Sequence, residues 1–117
     1  MWVFTLDGFF SIVAHTELPN HLLVRARARD DIQRLAGWLA RQGHPVEPRH
    51  TPEGDYAWRL VAPRALVARY LATTVADIDY PNFKEAVANR AGHDRAVIYS
   101  QVWLDMLALQ PEDPSHD

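Results

Sequence analysis

Residues 22–31, LLVRARARDD, decide how the chain is read. Apolar and polar residues alternate with period two, the pattern of a β-strand with unlike faces. Leu22, Val24, Ala26 and Ala28 fall on one side, and the small alanines let a helix approach closely. Leu23, Arg25, Arg27 and Arg29 fall on the other. The strand is expected to end at Asp30-Asp31 because a helix begins there. Asp30 is placed to cap it, Gln33 stands three residues on in capping-box position, and both acids suit a helix N-terminus. Ile32, Leu35, Trp38 and Leu39 supply its apolar stripe, and Gly43 its stop. The aspartates are thereby assigned to structure, and the three arginines are left over.

Upstream, WVFTLDGFFSIVAH reads as a β-hairpin turning at Asp7-Gly8. That register sets Leu6 opposite Phe9, Phe4 opposite Ser11 and Trp2 opposite Val13 on one face. Val3, Thr5, Phe10, Ile12 and Ala14 take the other. Both faces are largely apolar, more so than a half-exposed antiparallel sheet requires. A homodimer or partner contact through this hairpin is one way to cover the outer face.

Downstream, a weak strand is expected over 46–50, a turn over 51–54 and a strand over 56–62. In that strand Tyr56, Trp58, Leu60 and Ala62 share a side. Pro63 opens a helix with Leu66, Tyr70, Leu71, Val75 and Ile78 at helical spacing. DYPNFKEAVANR reads as a turn and short helix. After Gly92 comes a last helix with Tyr99, Val102, Trp103, Met106 and Leu109 as its buried stripe. The order β-β-β-α-β-β-α-α-α predicts an α+β fold, an antiparallel sheet with helices mainly on one face. A ferredoxin-like arrangement with an N-terminal hairpin extension is one version. Residues 1–109 are read as a single domain, and 110–117 as a disordered acidic tail.

The 117 residues suit one hydrophobic core. With no cysteine, disulfides and thiolate zinc sites are excluded. The first residues lack the basic start of a signal peptide, and no apolar run approaches the roughly 18 residues of a membrane span. A cytoplasmic, non-membrane protein is expected. Setting aside Glu112, Asp113 and Asp117 leaves 12 acidic against 12 basic residues. A neutral body argues against a nucleic-acid binder that works by charge alone. Eleven of the basic residues are arginine, and six of these lie between Leu22 and Arg49 against three acids.

The phrases WVFTLDGFFSIVAH, LLVRARARDD, DYAWRLVAPR and IDYPNFK, closed by VWLDMLALQ, share the patterns WxFTxxGFxSxV, LxVRAR, DYxWR and IDYxNFK. In these the chain resembles a group of small bacterial proteins, over nearly its whole length. The group carries no assigned activity. The resemblance implies a stand-alone protein and carries over no catalytic residue.

Three groups of residues hold candidate chemistry. Arg25, Arg27 and Arg29, with Arg59, form an arginine stripe suited to carboxylates or phosphates. Asp79, Tyr80 and Lys84 crowd the turn DIDYPNFK, where they either cap a helix or form the lip of a site. His15 ends the hairpin's second strand, but Ser11 lies about 13 Å away along it, too far for a nucleophile–base pair. The six histidines show no metal-ligand spacing, and no phosphate loop or nucleophile motif occurs. No catalytic residue, metal or cofactor is expected. The chain reads as a non-enzymatic binding protein that recognises an acidic partner, protein or nucleic acid, through the arginine face. The alternative is a small enzyme acting on phosphate or nucleic acid, with His15 or Asp79 as acid or base.

Overall fold

The computed structural model describes residues 1–111, and in it the hairpin closes over Leu6-Asp7, not Asp7-Gly8. Strand β1 (Trp2–Thr5) pairs with β2 (Gly8–Ala14), with Phe4 opposite Phe9 and Trp2 opposite Ser11. Local hydrogen bonds explain the shift. Thr5 Oγ1 accepts the backbone N–H groups of Asp7 and Gly8 and so stitches a tighter turn. The register moves by two residues, so each side chain keeps its expected face. Trp2, Phe4, Phe9, Ser11 and Val13 still point one way, and Val3, Phe10 and Ile12 the other.

Strand β3 (His21–Ala26) follows antiparallel to β2, and helix α1 spans Arg29–Arg41. The strand therefore ends two residues earlier than its alternation suggests, and Arg29 belongs to the helix. The expected capping box does not form: the N-cap residue is Ala28, with no side-chain cap bond. Asp31 is instead drawn away to the hairpin turn, where it accepts the Phe9 N–H at 3.1 Å. Arg34 Nη1 donates to Asp31 Oδ1 at 3.2 Å and to the Asp7 carbonyl at 2.9 Å. Asp31 is 1% exposed, and its carboxyl lies where a side chain on Gly8 would begin. Glycine, here at φ +150°, is therefore required.

Strands β4 (Arg49–His50) and β5 (Trp58–Pro63) and helix α2 (Arg64–Ala76) complete this unit, Met1–Ile78. The strand order is β1-β2-β3-β5-β4, antiparallel throughout. Because β5 separates them, β3 and β4 run parallel on either side of it, joined through α1. That is the split β-α-β of a ferredoxin-like arrangement. Strand β2 takes the place beside β3 that the last strand takes in that order. The core lies between one sheet face and the two helices: Phe10, Ile12, Val24, Ala26, Leu60 and Ala62 meet Ile32, Leu35, Leu39, Val67 and Tyr70. In α2 the buried residues are Val67 and Tyr70, while Val75 and Ile78, expected in its stripe, are exposed.

The second unit begins at Asp79. Asn82 caps α3 (Phe83–Ala91) by accepting the Glu85 N–H at 2.9 Å. Helix α4 (His93–Met106) runs into a short 3-10 turn, Leu107–Leu109. The rings of Phe83 and Tyr99 stack at 6.1 Å. Of the stripe expected on α4, Tyr99 is buried, whereas Trp103, Met106 and Leu109 are exposed. Val97, Ile98 and Leu104 are exposed as well, so α4 is apolar on more sides than one neighbouring helix can cover. Residues 112–117, most of the expected tail, lie outside the described residues. Among the described residues no helix is long and apolar enough to cross a membrane.

Candidate anion-binding face

The sheet face opposite α1 and α2 is built by strand register. Residues directly opposite in antiparallel strands project to the same side, their Cα atoms about 4.5–5.5 Å apart. Trp2 faces Ser11, Ser11 faces Arg25, Arg25 faces Arg59, and Arg59 faces Arg49. One transverse row thus crosses all five strands and carries three consecutive arginines. A parallel row holds Val13, Leu23 and Val61.

The loop 51–57 lies against these arginines. Thr51 N–H bonds the Ala57 carbonyl at 2.7 Å and Thr51 Oγ1 the Tyr56 carbonyl at 3.1 Å, so the loop folds on itself. Tyr56, expected in β5 on the same side as Trp58, Leu60 and Ala62, precedes that strand and is buried with its ring beneath two arginines. The Arg25 guanidinium stands 4.7 Å from the ring centroid and that of Arg27 5.0 Å. Arg25 Nη2 donates to Ser11 Oγ at 2.8 Å, and Arg59 Nη2 to the Tyr56 carbonyl at 3.4 Å. These contacts orient the guanidinium groups without neutralising them. Arg34 pairs with Asp31, whereas among the described residues no acid pairs with Arg25, Arg27, Arg49 or Arg59. The Nε atoms of Arg25 and Arg59 are buried and have no hydrogen-bond partner. Like charges directly opposite destabilise a sheet, and a buried unsatisfied polar group costs on the order of 1–3 kcal/mol. The row is held in a costly arrangement, with like charges on neighbouring strands and no acid to offset them.

The other expected residues divide. Arg29 leaves the stripe: from the first turn of α1 its guanidinium lies 5.8 Å from the Trp58 ring, on which His50 stacks at 4.2 Å. His15 Nδ1 accepts the backbone N–H groups of Glu17 and Leu18 and holds the loop before β3. Asp79, Tyr80 and Lys84 belong to the second unit. There the Tyr80 ring meets Phe83, Lys84 Nζ lies 4.4 Å from the Trp103 ring centroid, and Asp79 is exposed. Arg49 is the member of the row that sequence reasoning missed. Its strand has two residues, and only the pairing with Arg59 reveals its place. Among the described residues no cluster of potential metal ligands occurs.

A second polar cluster lies under the hairpin turn. Tyr70 O–H donates to Asp7 Oδ2 at 2.7 Å. Burial, this hydrogen bond and the nearby charge of Asp7 push the Tyr70 hydroxyl well above its ordinary value. This cluster is closed on itself and ties the turn to both helices. Comparison with family models, curated proteins and solved structures yields no match to this chain.

Proposed function

We propose that this protein is a non-enzymatic binding protein that takes an anionic partner on the arginine row Arg25–Arg59–Arg49, with Arg27 beside it. The observation that carries this reading is the row of three facing arginines with which, among the described residues, no acid pairs. A carboxylate or phosphate supplies the missing counter-charge, and a planar guanidinium fork takes either in bidentate fashion. The test is retention on a heparin column. The Arg25→Gln/Arg59→Gln variant should elute at clearly lower salt than the wild type. Arg64→Gln/Arg69→Gln, which removes the same charge from exposed sites on α2, should elute near the wild type. Equal shifts in the two double variants would sink the reading.

A cytoplasmic setting accords with the cysteine-free sequence. Self-association through the hairpin is supported by β1 being an edge strand of the sheet. Light scattering tests it, and a monomer at high concentration argues it away. The enzymatic alternative finds no supporting contact at His15, whose Nδ1 is already engaged as an acceptor. It would regain ground if a His15→Ala or Asp79→Ala variant still bound a phosphorylated compound but no longer turned it over.

A further inference from the structure

Resting on that reading, we infer that the anionic partner is a single-stranded nucleic acid, bound by its phosphates on the arginine row and by a base on Trp2. Trp2 is the terminal member of the same transverse row and is 68% exposed. Its ring meets Phe9 edge-on at 6.1 Å, and Phe9 packs against Phe4 at 4.6 Å. This backing leaves the indole supported and open to solvent. Two strand spacings, about 10 Å, separate the Cα atoms of Trp2 and Arg25, and two more separate Arg25 from Arg49. The face therefore offers an aromatic platform followed by a line of cations.

That combination matches a ligand in which every anion comes with a flat ring. Single-strand binders join a basic track to aromatic side chains on which bases stack. An acidic peptide supplies carboxylates but no ring for the open indole. A duplex keeps its bases stacked on one another, and reading their edges takes an element that enters a groove. The neutral body of the chain points the same way. Three arginines give a shallow electrostatic attraction, so stacking has to supply a substantial share of the affinity.

The test uses the full 117-residue chain and fluorescence anisotropy at low salt. The probes are a labelled oligothymidylate of about 12 nucleotides and a labelled polyglutamate of equal charge. The oligonucleotide should bind more tightly than the polyglutamate. Trp2→Ala should weaken it about tenfold, the low end for losing one stacked base, while Trp2→Phe keeps most of the affinity. The log–log salt slope should be near two, about 0.7 for each of three phosphates, and Arg59→Gln should lower it by about 0.7. Polyglutamate bound as tightly as the oligonucleotide, or an unchanged affinity in Trp2→Ala, overturns this inference and leaves the arginine row standing. Oligonucleotide binding that Arg25→Gln/Arg59→Gln leaves intact overturns both. Circular dichroism of each variant separates lost binding from lost folding.

Discussion

Arg34 and Arg59 lie in the same unit and meet opposite surroundings. Arg34 reaches a buried carboxylate and a backbone carbonyl, and that carboxylate in turn accepts the N–H of Phe9. Arg59 faces two other arginines across the sheet, makes one long bond to a carbonyl, and buries an Nε with no acceptor. The first arrangement closes on itself and joins the hairpin turn to α1 and α2. The second leaves charge uncompensated on a rigid sheet. The contrast separates a cluster that stabilises the fold from one that the fold supports at a cost.

Five substitutions challenge this contrast, in decreasing order of effect. Gly8→Ala sets a methyl group into the Asp31 carboxyl on a backbone that suits glycine. The loss should be about 3 kcal/mol or more in urea unfolding, and a change under about 0.5 kcal/mol would show that the contact is slack. Asp31→Ala leaves the Phe9 N–H without its acceptor and should cost about 2 kcal/mol by the same measurement. Arg34→Ala should cost less, because the Arg34 side chain is 46% exposed and water can stand in for it.

Tyr70→Phe should cost about 1 kcal/mol at neutral pH. Its pH dependence is more telling. The hydroxyl titrates higher in the folded state than the ordinary 10.0 of the unfolded chain. Its contribution is therefore complete below about pH 10 and declines as pH rises beyond that. Wild type should lose stability more steeply than Tyr70→Phe above pH 10, and parallel curves would contradict the buried bond to Asp7. The smallest effect has the opposite sign. Arg59→Leu relieves like-charge contact and removes a buried unsatisfied group, so thermal unfolding should show a gain of about 0.5–1 kcal/mol. A loss of stability there would place the arginine row among the structural contacts.

The order of elements was legible because it rests on periodicity, and periodicity tolerates small errors. The hairpin register differs by two residues, yet Trp2, Phe4, Phe9 and Ser11 keep their face because side chains alternate with period two. The same tolerance fails at element ends. Alternation alone carried Arg29 into the strand, although the chain bends after Ala26 and the helix takes it. Tyr56 was misplaced because the turn continues past Gly54, so the strand begins at Trp58. The Asp31 bond joins residues 22 apart and has no local signature, whereas the Asn82 cap lies beside the residues it serves. Helix α4 was misread because apolar residues on several of its sides fit more than one stripe. The arginine face was visible as a stripe along one strand. Its row across three strands required the pairing partners.

The two partnerless Nε–H groups also make the arginine face directly observable. An N–H shielded from solvent exchanges its proton slowly, so the Arg25 and Arg59 Nε–H signals should persist in nitrogen-edited NMR spectra. The exposed guanidinium groups of Arg64 and Arg69 should lose theirs to water. An anion engaging the same guanidinium groups would perturb those two signals through the shared π system. They provide a built-in reporter that can be followed while candidate ligands are titrated, without a label on the protein surface.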